Sequence, residues 1–225
     1  LIFGKFVNVD IGSGDRDISW CFKFLTNEQR RHQKICGYVY TELQDIEWEH
    51  NGFLDYDRAE KEFGYSAMSP EFTPADLNNL DFLVLDGPPC ATVKPGSEVN
   101  VDIYSNHWSK KNISRGNLGW KLTAINSSGE LFTAGTGEIP RVEFNQYEVT
   151  KLRTLTLLVP QQQSIATLTV ELRADNNELI ARNYLNFDVY RAPQKRQELN
   201  VKKIARNQSE NTVYLRFNPG EFAKS

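Results

Sequence analysis

Residues 35–58 read ICGYVYTELQDIEWEHNGFLDYDR, and this stretch decides how the chain is divided. It opens on an apolar run of Ile35, Cys36, Tyr38, Val39 and Tyr40. It then meets Thr41, Glu42, Gln44, Asp45, Glu47, Glu49, His50 and Asn51, with Trp48 among them. A continuous apolar run is the mark of a parallel strand buried on both faces. In α/β barrels and open α/β sheets, ligands gather just past the carboxyl ends of such strands. The polar, aromatic-lined loop from Thr41 onward therefore lies where a barrel keeps its ligand.

Toward the N-terminus, residues 1–9 (LIFGKFVNV) read as a short buried strand, and Gly12-Ser13-Gly14-Asp15 as a turn after it. A helix is expected over 17–33, because Ile18, Cys21, Phe22 and Leu25 recur at three- and four-residue spacing and give one apolar face. Asp15 and Asp17 at its start and Arg30, Arg31, His32 and Lys34 at its end complement the helix dipole. Strand, helix, strand and polar loop make one β-α-β unit, too small to form a core alone.

Toward the C-terminus, 51–58 reads as a turn-rich loop and 59–65 (AEKEFGY) as a short helix ended by Gly64. Residues 66–80, with Pro70, Pro74 and Asn78-Asn79, read as a linker. From Asp81 the pattern changes to short alternating segments: FLVLD, VNVDIYS, GWKLTAI, a weak ELFTAG, a long VEFNQYEVT, TLTLLV, ATLTVELR and LIARNYLNFDVY. Turn signals at Lys94-Pro95-Gly96, Ser127-Ser128-Gly129 and Asp175-Asn176-Asn177 separate them. Seven or eight such strands predict an immunoglobulin-like β-sandwich over 81–190. Residues 191–225 read as a link and the start of a further β domain. The fold class expected is mainly β: a sandwich preceded by a terminal β-α-β remnant of a (β/α)8 barrel.

Composition narrows the function. A net charge of −3 with 24 % charged residues gives no sign of a nucleic-acid partner. No apolar run reaches the length of a membrane span, and the chain opens without the pattern of a signal peptide. Cys21, Cys36 and Cys90 are an odd, sparse set with no CxxC pair, which suits neither a disulfide framework nor a zinc site. His50 has no second histidine at ligand spacing, since His32 and His107 lie in other elements; no metal and no cofactor is expected. There is no GxSxG, P-loop or dinucleotide fingerprint. The compartment is undetermined.

Glu42, Asp45, Glu47 and Glu49 supply carboxylates, and glycoside hydrolysis uses a carboxylate pair, held roughly 5–5.5 Å apart in retaining enzymes. Residues two apart on an extended strand suit either that spacing or the wider one of inverting enzymes, and surface charges and salt-bridge partners show the same pattern. Tyr40 and Trp48 suit either sugar stacking or a core. Trp108 and Trp120 read as core or inter-domain contacts; with Tyr147 they would make a carbohydrate- or protein-binding strip if exposed together.

Three groups of residues resemble a known family. Gly14-Asp15-Arg16-Asp17-Ile18-Ser19-Trp20, the run Gly37 to Glu47, and Glu49-His50-Asn51-Gly52 with Tyr56-Asp57-Arg58 are similar to the end of the catalytic barrel in glycoside hydrolase family 2, the β-galactosidase and β-glucuronidase family. The resemblance covers 1–65 densely and continues, more weakly, into 81–190 through Val84-Leu85-Asp86 and Lys94-Pro95-Gly96. It implies that 35–40 is the eighth barrel strand and that Tyr40, Thr41, Glu42 and Asp45 line the rim of a sugar site. It also implies a retaining β-glycosidase acting on terminal β-linked carbohydrate, with the rest of the barrel as structural partner.

In that family the acid/base glutamate follows the fourth strand, to which nothing here corresponds, and the nucleophile is a glutamate ending the seventh strand. The matching position is Lys5, which cannot serve as a carboxylate nucleophile. No catalytic residue is assigned, and this chain alone is expected to be inactive. The rival expectation is a non-catalytic carbohydrate- or protein-binding module; a third makes the sandwich a buttress for the barrel. Lacking the other barrel strands, 1–65 is expected either to pack on the sandwich or to drive self-association.

Overall fold

The computed structural model describes residues 2–3, 18–35, 37–87 and 91–191. Lys5, the Gly12–Asp15 turn, Cys36, Cys90 and the expected further domain after Arg191 lie outside the described residues.

The chain is mainly β, and two sheets form a sandwich-like fold. Before the sandwich come β1 (Ile2–Phe3), α1 (Ser19–Arg30) and β2 (Tyr38–Val39), with β1 and β2 paired in parallel, Ile2 opposite Tyr38. Parallel neighbours need a crossover connection, and α1 lies within it. Two short helices follow, α2 (Tyr65–Met68) and α3 (Pro74–Asn78). The expected helix over 59–65 does not form: Gly64 precedes the helix instead of ending it. The expected linker at 66–80 carries structure of its own. Thr73 and Asp76 form a reciprocal capping box around Pro74, and Phe72 and Leu77 are buried.

The sandwich strands are β3 (Asp81–Asp86), β4 (Ala91–Val93), β5 (Glu98–His107), β6 (Arg115–Asn126), β7 (Leu131–Glu143), β8 (Glu148–Leu158), β9 (Ser164–Arg173) and β10 (Leu179–Val189). One sheet has the order β3-β5-β8 and the other β4-β10-β9-β6-β7; only the β4–β10 pairing is parallel within them. Alternation sets the faces. On β9, Ala166, Leu168, Val170 and Leu172 point into the core while Ile165 and Glu171 face away. They meet Leu83, Leu85, Val101, Ile103, Leu155 and Leu157 of the other sheet in one apolar cluster. The segment VEFNQYEVT is not one long strand. The chain reverses inside it, with Tyr147 in the left-handed region at φ 59° and its N–H on His107 O at 2.6 Å. The weak ELFTAG segment opens the long edge strand β7.

A second cluster lies outside the β3 sheet: Phe22, Tyr65, Phe72, Leu77, Phe82, Val84 and Tyr184, with Tyr38, Tyr40, Phe53 and Phe63 packed against it. Its rings meet edge to face, Phe22 with Tyr40 at 5.1 Å and Phe72 with Tyr184 at 5.1 Å, the geometry aromatic quadrupoles favour. This cluster joins α1 and the 38–80 segment to the sandwich.

The buried face of α1 differs from the apolar one read from the sequence. Ile18 and Phe22 are buried, but Cys21 and Leu25 are only half-buried, and the other buried helix positions are Ser19, Thr26 and Asn27. The face turned to the protein follows 19, 22, 23, 26, 27 and 30, and its polar members bond to strand edges. Asn27 bonds Leu85, Lys23 bonds Tyr184 O, and Asn106 Nδ2 donates to Arg30 O at 2.8 Å.

Candidate functional site

The loop leaving β2 holds the four residues singled out from the sequence, and it is closed by internal bonds. Asp45 N–H donates to Leu54 O at 3.0 Å and Leu54 N–H to Leu43 O at 2.9 Å, so 43–45 and 54 lie side by side. The Tyr40 ring sits between Phe22 and Phe53, and its hydroxyl donates to Asn51 O at 2.5 Å. Burial raises the Tyr40 phenol pKa, and the carboxylates of Glu42 and Asp45 add to the effect. Asn51 Nδ2 returns a bond to Thr41 O at 3.0 Å.

Asp45 is 2 % exposed. Its Oδ1 accepts from Gly52 N–H at 2.9 Å and from Lys61 Nζ at 2.5 Å, and His50 Nδ1 lies 3.5 Å from Oδ2. Lys61 also donates to His50 O at 2.7 Å. Burial acts to raise the Asp45 pKa, but the Lys61 ammonium, the Gly52 N–H and His50 outweigh it and hold the carboxyl below the ordinary carboxylate range. Saturated with donors, Asp45 fixes the loop's shape.

The four residues share one loop but not one environment. Tyr40 and Asp45 are directed into the protein, Thr41 is exposed and Glu42 is half-buried. Leu43, Ile46, Trp48 and Tyr56 stand out from the same loop, Trp48 at 74 % exposure. What the loop can do chemically is present a hydroxyl, a carboxylate and an indole from a rigid base.

A second polar site, missed in the sequence, lies along α1. Lys23 Nζ donates to Tyr184 O at 2.6 Å and stands 4.2 Å from the centre of the Tyr184 ring. Burial pushes its pKa down to about 7. It lines a surface pocket with Trp20, Phe24, Leu85, Tyr184 and Asn186. The only sequence signal was the spacing of Lys23, Asn27 and Arg30 along one helix face.

A third polar pair is internal. His107 Nδ1 and Asp81 Oδ1 are 2.7 Å apart in the core, the Ser109 N–H adds a bond to the same oxygen at 3.1 Å, and the imidazole meets Phe144 edge-on. These bonds order the end of β5. The tryptophans do not form one strip. Trp120 lies on β6 over Gly135 and Gly137 of β7, whereas Trp108 pairs with Tyr147 at the end of the other sheet. Among the described residues, no three acidic, histidine or cysteine side chains gather as a metal site, and no helix is long and apolar enough to cross a membrane.

No protein-family model matches the chain, and no curated protein matches it. Solved structures match the chain over about half of its length. A Paenibacillus cycloisomaltooligosaccharide glucanotransferase is 11 % identical with a TM-score of 0.36, over 46 % of this chain and 13 % of that one. The sporulation control protein Spo0M of Bacillus subtilis is 12 % identical with a TM-score of 0.36, over 51 % of each. A family 123 glycoside hydrolase from Clostridium perfringens is 14 % identical with a TM-score of 0.33, over 47 % of this chain and 23 % of that one. The chain thus spans between 13 % and 51 % of these proteins' lengths. At such identities and scores the likeness bears on neither family nor function.

Proposed function

We propose that the chain is the C-terminal part of a retaining β-glycosidase of the glycoside hydrolase family 2 type, a β-galactosidase-like enzyme for terminal β-linked sugars, and that it is not catalytic by itself. The observation that carries this reading is the parallel β1–β2 pair with α1 in its crossover and the loop of Tyr40, Thr41, Glu42 and Asp45 at the carboxyl end of β2. A parallel strand pair joined through a helix is the kind of unit from which α/β barrels are built, and barrels carry their functional residues at the carboxyl ends of such strands, which supports this reading. In this reading Thr41 and Glu42 contact sugar, Tyr40 and Asp45 orient the loop, and the remaining barrel strands are its structural partner.

The strand orders support an immunoglobulin-like type for the sandwich. β3-β5-β8 corresponds to strands A-B-E of that fold and β10-β9-β6-β7 to G-F-C-C′. Fold alone assigns no activity, so the weight rests on the loop and on the sequence resemblance.

The test is hydrolysis of nitrophenyl β-galactoside, β-glucuronide, β-glucoside and β-mannoside by the 225-residue chain and by any longer natural product of the same gene. Activity confined to the longer product is expected. Activity in the 225-residue chain, or none in a longer product that carries a full barrel, overturns the reading.

A further inference from the structure

The Lys23 pocket is independent of the loop after β2, and its chemistry differs. Of the residues that line it, Lys23 alone is ionisable with a nucleophilic nitrogen. Three other described lysines are held by carboxylates: Lys61 by Asp45 at 2.5 Å, Lys111 by Glu178 at 2.6 Å and Lys151 by Asp102 at 2.6 Å. Hydrogen bonding to those carboxylates raises the pKa of Lys111 and of Lys151. Lys23 is placed otherwise, against the Tyr184 carbonyl and the rings of Tyr184 and Phe72. Beside it Trp20 and Phe24 stack at 5.6 Å and 20°, and Trp20 is 56 % exposed, which gives the pocket a flat aromatic wall open to solvent.

We propose that Lys23 is a reactive amine site that takes small aldehydes from solution as a reversible imine, with the Trp20–Phe24 pair as the wall against which the ligand lies. The neutral amine adds its lone pair to the carbonyl carbon, and the carbonyl π pair moves to oxygen, which takes up a proton to give a carbinolamine. Loss of water then yields the imine, so amine and aldehyde go to imine and water with no change of oxidation state. The Tyr184 carbonyl accepts one N–H and fixes the nitrogen, leaving the lone pair of the neutral form for the carbonyl carbon. An amine that titrates near neutrality is about half neutral at pH 7, whereas an ordinary lysine is neutral to less than about one part in a thousand. Desolvated lysines gain nucleophilic character in this way.

The site stands whether or not the glycosidase reading holds, and its test does not measure hydrolysis. The 225-residue chain is treated with glycolaldehyde and cyanoborohydride at pH 7, which traps imines as secondary amines, and each lysine is followed by peptide mass mapping. Lys23 is expected to be modified at least about tenfold faster than exposed Lys94, Lys110 and Lys121, less than the difference in neutral fraction because the pocket restricts approach. Its rate should level off above about pH 8. Lys23→Arg should abolish the fast fraction with the circular dichroism unchanged. Modification of Lys23 no faster than the exposed lysines, a rate still climbing to pH 10, or a fast fraction that survives Lys23→Arg overturns the proposal.

Discussion

The side-chain amide of Asn27 is paired with the backbone of Leu85: Nδ2 donates to Leu85 O at 3.0 Å, and Oδ1 accepts from Leu85 N–H at 3.1 Å. Leu85 belongs to β3, which pairs with β5 on one side only. An edge strand leaves a row of N–H and C=O groups unpaired, and buried ones need partners. Asn27, 6 % exposed on α1, stands in for a missing neighbour strand, and Asn183 of β10 does the same for Leu83 O at 2.7 Å. The two asparagines also bond each other, at 3.1 Å. A polar helix face against a β edge thus fastens α1 to the sandwich alongside the aromatic cluster.

Asn27→Ala therefore leaves the Leu85 N–H and C=O buried without partners. Each unsatisfied backbone group costs about 1–3 kcal/mol, so a loss of about 3 kcal/mol is expected. Asn27→Asp keeps an acceptor for the Leu85 N–H but sets a carboxylate against the Leu85 carbonyl, and should be no better. Urea midpoints at constant slope are the measurement. An Asn27→Ala midpoint equal to wild type would show that the edge is not held this way.

The buried Asp45–Lys61 pair predicts a coupled effect on the loop. Breaking a buried pair by removing one partner leaves an uncompensated charge and costs about 3–5 kcal/mol, whereas replacing both removes that penalty. Lys61→Met should loosen 43–54, and Asp45→Asn combined with Lys61→Met should restore much of the loss. The Asp45 carboxyl has a depressed folded pKa. Its contribution is present above the unfolded value of about 3.9 and is lost as pH falls through the folded one. Amide exchange of Asp45 and Leu54 at pH 6 and pH 3 reads both effects. Additive single and double variants would count against coupling.

These two sites show what the sequence could tell. The sandwich was legible because β strands alternate, and runs such as ATLTVELR put every second residue into the core. The helix is legible in position, from the spacing of Ile18 and Phe22, but its buried face is not, because periodicity ranks residues by apolarity. Asn27, Thr26 and Ser19 are buried as edge-bonding groups, which no hydropathy pattern marks. Thr73-Pro74-Ala75-Asp76 was a readable capping box that the prolines nearby disguised as a linker. Asp45 stood out for its charge, while its partner Lys61 lies sixteen residues on, a pairing that only the closed loop creates.

Lys23 adds a pH dependence of the same sense as that of Asp45, in a higher window. Desolvation lowers its folded pKa to about 7 from the ordinary lysine value of 10.5, so between these values the unfolded chain binds a proton that the folded chain does not. Stability then rises with pH across this window. The phenol of Tyr40, raised by burial, works the other way only above about pH 10, which leaves pH 6 to 9.5 clear. Wild-type stability measured against Lys23→Met should increase from pH 6 to 9.5; a difference that stays flat would mean Lys23 is charged in the folded protein throughout.

Gly137 and Gly135 offer a paired test of how Trp120 is seated. A Cβ at Gly137 would fall 2.6 Å from Trp120 Nε1 and 2.7 Å from Cε2, inside the contact limit, while one at Gly135 would stand 3.3 Å from Cζ3. Trp120 packs against the sandwich core from β6, opposite Gly137 in the register, so its indole is braced from below and cannot give way freely. Gly137→Ala should therefore cost about 1–3 kcal/mol, the usual penalty of overpacking, and shift Trp120 fluorescence. Gly135→Ala needs a movement of only a few tenths of an ångström and gains strand-compatible backbone, so its urea midpoint should stay within about 0.5 kcal/mol of wild type. Equal effects at the two positions would show that the indole does not lie across β7 at Gly137.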